Sequence, residues 1–422
     1  MPLELNPASP DFSSLIHPGA TLLWGQANAE PVTLTRALLA QRHDFKRLRI
    51  MLGIAGSDTC LPEHADAVDF FAYCGAGSNR ALADAGVLDI LPIHYSKMAQ
   101  MLRSGELHID VLMLQLSPPD ALGRYSLSLA NEYLVAALEH ATVVVGEVNR
   151  QAPWTYGERT LSLTDLDAVM YTDRSPLTSG SASIRAIDTQ IAWHIAQLVE
   201  DGSTLQTGIG AIPDAVLGAL TGHRNLGVHS GSIGDSVMRL MQSGVINNSC
   251  KTRDTGISIG GILMGSQTLH QFAHRNEALQ LRSTSYTHDA RVLASLDRLV
   301  AINSAVEVDL TGQINSEAAA GSYLGAVGGA LDFMRGAQHS RGGLPIIALP
   351  SSAGARSRIV PRLNGPVTIP RSDAGLIVTE HGVADLRGLT IKQRVRKMLD
   401  IASPQHQADL EQAWASGGIA GR

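Results

Sequence analysis

Only three cysteines occur in the 422 residues, Cys60, Cys74 and Cys250, with no C-x-x-C pair among them. That spacing excludes a disulfide framework and a cysteine-based zinc site. Positive charge is also short, since 33 Lys and Arg against 39 Asp and Glu leave a net charge of −6. The chain therefore has no basic field for nucleic acid and no polybasic patch for a membrane surface. No uncharged apolar stretch reaches the roughly 20 residues that span a bilayer. The opening MPLELNPASPDF lacks the basic start and apolar core of a signal peptide. A soluble, cytoplasmic, reducing setting is the expectation. Neither a serine hydrolase nor a zinc enzyme is expected, and no metal ligands are assigned. The dinucleotide-binding glycine fingerprint lacks its third glycine and its acidic partner, which disfavours a dehydrogenase.

Glycine, by contrast, is abundant at 41 residues, while aromatics make up 4%. Many glycines fit the tight strand-to-helix turns of an α/β fold. Short apolar runs at 48–54, 110–117, 142–149, 299–303, 345–350 and 374–380 read as buried parallel strands. Segments 32–42 and 190–202 read as helices. The fold class is therefore α/β, with two related open-sheet domains over 1–182 and 183–422. An internal match supports duplication: GATLLWGQANAEPVTLTRALL begins at Gly19 and GSTLQTGIGAIPDAVLGAL at Gly202. Each reads strand, glycine loop, proline, amphipathic helix, pairing Gly25 with Gly208 and Pro31 with Pro213.

Ligands of open α/β sheets collect beyond the carboxyl ends of the strands. Three glycine-rich loops fall there. Gly208-Ile209-Gly210 precedes a helix whose free N–H groups suit negative charge, although a plain structural turn reads equally well. Gly325, Gly328 and Gly329 lie in a second such loop, able to cradle a ligand arm or to turn the chain. Gln26 and Asn28, in the third, carry amides able to donate to an oxyanion, beside Glu30. Arg356, Arg358 and Arg362 cluster after a strand and could meet phosphate oxygens. Phe70, Phe71 and Tyr73 are available to line a substrate pocket.

Taken in order, GQANAEP (25–31), DVLMLQLSPPDALGRYSLS (110–128), GEVNRQAPWTYGE (146–158), GIGAIPDAV (208–216), INSAVEVDLTGQINSE (302–317), GGALDFMRGA (328–337), SRIVPRL (357–363) and VTEHGVADLRG (378–388) resemble the acetyl-CoA hydrolase/transferase family, among the family I CoA-transferases. The resemblance runs over nearly the whole chain. It implies two CoA-transferase-type domains with the active site between them, in a homo-oligomer. It also implies an acyl-CoA and a small carboxylate as substrates, with coenzyme A as substrate and product and no permanently bound cofactor. On this footing Gly208, Ile209, Gly210, Gly325, Gly328, Gly329 and Arg358 become CoA-binding candidates.

The resemblance also implies a glutamate nucleophile two residues after a histidine. At that place this chain reads His229-Ser230-Gly231. Gly231 has no side chain to attack with, so Asp235, His229, Glu30 and Glu63 are the catalytic candidates, with Gln26 and Asn28 for the oxyanion. Three activities remain open. CoA transfer would use another carboxylate. Hydrolysis, of a thioester or of a C–C bond, would use an activated water. A CoA-binding protein would have no turnover.

Overall fold

The computed structural model describes residues 1–180, 182–319 and 321–416. Its first sheet has eight strands: β1 (Leu3–Glu4), β2 (Thr21–Trp24), β3 (Leu48–Leu52), β4 (Val68–Ala72), β5 (Leu88–Ile90), β6 (Val111–Leu116), β7 (Val143–Asn149) and β8 (Ala168–Thr172). They lie in the order β1-β8-β7-β6-β2-β3-β4-β5, every neighbouring pair parallel. All six residues of β6 are buried, because helices and loops cover both faces.

The second large sheet has six strands: β9 (Thr204–Thr207), β10 (Gly227–Val228), β11 (Leu299–Ser304), β12 (Leu344–Ala348), β13 (Leu376–Thr379) and β14 (Gly382–Asp385), in the order β10-β9-β11-β12-β13-β14. Only its β13–β14 pair is antiparallel. The internal match becomes topology here. β2 lies between β3 and β6 as β9 lies between β10 and β11. Their helices, Val32–Ala40 and Ala211–Ala219, follow equivalent loops.

Helix boundaries differ from the sequence expectation by a few residues. The helix expected over 190–202 runs from Ala186 to Ala196, because Asp188 caps its start by accepting from the Arg185 backbone N–H at 2.9 Å. The second helix begins before Pro213, whose missing N–H costs nothing within the first turn.

The halves interlock. Tyr156–Gly157 joins a parallel three-stranded sheet with Ser258–Gly260 and Leu279–Leu281. In the other direction, Ala326 bridges to Cys74 and Gly328 to His94. Ser96 donates from Oγ (2.7 Å) and from its N–H (3.1 Å) to the Asp332 carboxylate. No helix among the described residues is long and apolar enough to cross a membrane.

Candidate active site

The carboxyl ends of both sheets converge on one cavity of about 190 Å³. Gln26, Ile54 and Tyr73 reach it from just beyond β2, β3 and β4, while Thr207, Gly208 and Asn303 reach it from β9 and β11. Gly231, His288, Gly328, Gly329 and Phe333 close the second-half side. Tyr95 and Glu132 complete the first-half side.

Glu132 was not among the sequence candidates, yet it is the carboxyl in this wall. It is 2% exposed. Its Oε2 accepts hydrogen bonds from Tyr95 Oη and from Gln26 Nε2, the latter at 2.6 Å. Oε1 has no hydrogen-bond partner. Burial raises its pKa to about 7, against the lowering pull of the Tyr95 and Gln26 hydrogen bonds. The backbone is held in the left-handed region at φ 30°, which an L residue adopts only under constraint. The constraint comes from the other half: Asn131 N–H donates to Gly261 O at 2.9 Å, and Thr284 N–H donates to Glu132 O at 3.2 Å.

Gln26 does not present a free amide. Its Nε2 donates to Tyr95 Oη and Glu132, and its Oε1 accepts from Ile54 N–H and Tyr73 Oη, each at 2.7 Å. It therefore holds Glu132 in place. Asn28 is equally engaged, donating to Gly265 O at 3.1 Å and accepting from Ser179 Oγ at 2.7 Å, and it lies outside the cavity lining.

The remaining carboxylates face elsewhere. Glu30 accepts from Thr35 Oγ1 (2.9 Å) and Ser57 Oγ (2.7 Å). Glu63 is exposed on the 3-10 turn Pro62–Asp66. Asp235 lines a neighbouring cavity of about 370 Å³, where its carboxylate accepts from the Ser266 N–H (3.0 Å) and Oγ (2.6 Å). His229 is fully buried, donates from Nε2 to Thr287 O at 3.1 Å, and has its pKa pushed down to about 3 by burial and by Lys251. His288 is the imidazole on the cavity wall, also lowered to about 3 by burial, its ring 5.0 Å from that of Tyr95. A Cβ at Gly231 would sit 3.2–3.3 Å from the His288 ring.

Gly208, Ile209, Gly328 and Gly329 line the central cavity, and Gly210 lines the neighbouring one. Gly325 makes a turn so close that a Cβ would meet Ser316 O at 2.0 Å. Arg358 lies outside both linings, where burial and Arg185 lower its pKa. Tyr73 faces the cavity. Its neighbour Phe70 is sealed in the core, and Phe71 lies under the Arg49 guanidinium at 5.2 Å.

Two short strings bear on the hydrolase and zinc expectations. Gly256–Gly260 reads G-x-S-x-G, but Ser258 sits inside a strand and bonds Asn248 Nδ2 and Met241 Sδ, not at a strand-to-helix elbow. His270 and His274 stand four residues apart. His270 Nε2 meets Asn28 at 3.3 Å and His274 Nδ1 accepts from Trp154 N–H. No group of three His, Cys, Asp or Glu side chains among the described residues is arranged to hold a metal.

Residues 8–178 match the acetyl-CoA hydrolase/transferase N-terminal domain and residues 265–414 the C-terminal domain. The chain is 36% identical over 403 residues to 4-hydroxybutyrate coenzyme A transferase of Clostridium kluyveri, covering 94% of each. It is 32% identical to succinyl-CoA:cyclohexane-1-carboxylate CoA transferase of Geobacter metallireducens, over 96% of this chain and 93% of that one. Among solved structures, RipA from Yersinia pestis superposes with a TM-score of 0.91 at 32% identity, over 98% of this chain and 97% of that one. Fold and site together define an α/β enzyme of the CoA-transferase type. This chain belongs to the acetyl-CoA hydrolase/transferase family.

Proposed function

We propose that the enzyme moves CoA between an acyl-CoA thioester and a small carboxylate acceptor, as a homo-oligomer. The thioester carbonyl would lie in the central cavity, with the pantetheine arm leaving beneath Gly208–Gly210. The observation that carries this reading is the cavity itself. It is about 190 Å³ in volume, suits a short acyl group, and has a carboxyl with one unbonded oxygen in its wall. Relatives named as CoA transferases align along almost the whole of both chains, which supports the same reaction here. CoA is substrate and product, and no permanently bound cofactor is proposed.

Hydrolysis is the second reading. Gly231 leaves its side of the cavity without a side chain, and a carboxyl titrating near 7 suits a base that deprotonates water. The deciding assay supplies short acyl-CoAs with carboxylate acceptors added or withheld. New acyl-CoA without net thiol release is the expected result. Thiol release independent of acceptor would overturn transfer in favour of hydrolysis.

A further inference from the structure

We infer that the carboxylate of Glu132, supplied by the first half of the chain, is the nucleophile of this site in place of a side chain at residue 231. This deepens the transfer reading and rests on it. Three observations converge. First, Glu132 lines the same cavity as Gly231, and the two share a neighbour. A Cβ on Gly261 would stand 2.8 Å from the Gly231 carbonyl oxygen and 3.3 Å from Glu132 Cγ. Both groups therefore border one point, approached from opposite halves of the molecule.

Second, the hydrogen bonding around Glu132 is complete except at one atom. In the cluster of Gln26, Tyr73, Tyr95 and Glu132, each polar side-chain atom has a partner apart from Glu132 Oε1. A buried acid kept only for structure gains from satisfying both oxygens, since an unpaired buried acceptor has lost its water without gaining a donor. Clamping Oε2 while leaving Oε1 bare orients the carboxylate as a nucleophile requires. Third, Glu132 holds a positive φ, which backbone bonds from Gly261 and Thr284 enforce. Constraint of this kind concentrates at functional positions.

The chemistry balances without a further reagent. Glu132 Oε1 adds to the thioester carbon, and the C–S bond breaks with its electron pair leaving on the CoA thiolate. The product is an acyl–glutamyl anhydride. The thiolate then attacks the glutamyl carbon and expels the acyl carboxylate, leaving CoA as a thioester on Glu132. An incoming carboxylate attacks that thioester, forming a new anhydride and freeing the thiolate. Attack of the thiolate on the new acyl carbon returns Glu132 as a carboxylate. No net proton is taken up.

The test incubates the full-length protein with acyl-CoA and no acceptor, then adds borohydride, which reduces a glutamyl thioester to an alcohol. Peptide mapping locates the change. In parallel, Glu132→Gln, which keeps the shape of the side chain, is assayed for transfer, with its thermal midpoint checked against the wild type. The expected result is modification at residue 132 and a loss of transfer of at least about 10³-fold in the variant. Modification at another carboxylate, or transfer by Glu132→Gln within about tenfold of wild type, overturns Glu132 and leaves the transfer reading intact. Thiol release that needs Glu132 but leaves no adduct overturns the nucleophile role in favour of a base. Wild-type protein that neither transfers nor forms an adduct overturns both. The adduct is read on wild-type protein, so a variant that fails to fold does not blunt the test.

Discussion

The strand–loop–helix unit occurs twice, and its two loops have taken opposite courses. In the first copy every residue from Gly25 to Pro31 is buried, and its polar side chains are consumed by hydrogen bonds. In the second, Ile209 is 50% exposed and Gly210 lies open at φ 121°. One copy has become a scaffold that fixes Glu132 through Gln26. The other remains a bare backbone loop along the edge of the cavity. The two copies supply equivalent edges of the cavity, one buried and tightly hydrogen-bonded, the other exposed.

The largest loss is expected from Gln26→Ala. It strands Tyr73 Oη, the Ile54 N–H and one contact of Glu132 at once. We expect a stability loss of about 2–4 kcal/mol by urea denaturation and a fall in kcat of about 10²-fold. Unchanged stability would mean that the first loop is not a scaffold.

The equivalent glycines test the same contrast directly. In the buried copy, a Cβ at Gly25 would meet Ala29 O at 2.6 Å, so Gly25→Ala should cost about 1–3 kcal/mol. At Gly208 the nearest atom, Ile302 O, is 3.8 Å away. Gly208→Ala should therefore leave the urea midpoint within error of wild type. Equal losses at both positions would erase the distinction.

Two sets of buried groups also respond oppositely to pH. Burial lowers His229 and His288 to about 3 and His270 to about 4, all in the second half. Their stabilisation is complete above the ordinary imidazole value of 6.5 and is lost progressively as pH falls from there toward 3. Glu132, raised to about 7 in the first half, stabilises fully below its ordinary 4.5, and that contribution is lost as pH rises through 7. Between pH 4.5 and 6.5 unfolding charges the imidazoles and ionises the carboxyl, so the two effects oppose. Removing the carboxyl with Glu132→Gln should steepen the acid limb of stability by about one proton, or roughly 1.4 kcal/mol per pH unit. Denaturant titrations at four pH values measure that slope. An unchanged slope would mean that Glu132 is not a raised acid.

The sheets were legible because buried parallel strands carry short apolar runs between glycine and polar breaks, and the repeat was legible because both copies keep the Gly and Pro positions. Helix ends were less so, since the Arg185–Asp188 cap and Pro213 shift them by a few residues. Gly231 stood out by position, but Glu132 did not. Its placement depends on bonds to Gly261 and Thr284, more than a hundred residues away, which no local pattern reports. One signal was available: between Arg124 and Glu139 the chain carries a single charge, Glu132, within an apolar stretch. An acid alone among residues bound for the core is either a penalty or a tool.

The glycine run at 325–329 ties the second half to the first. It is stitched to Cys74, Gly75, His94 and Tyr95 by backbone pairing, while Ser96 grips Asp332 a turn further on. Neither half can therefore lose its fold without breaking backbone pairings with the other. A chain built on two large sheets should behave as one body toward heat, giving a single calorimetric endotherm whose van't Hoff and calorimetric enthalpies agree.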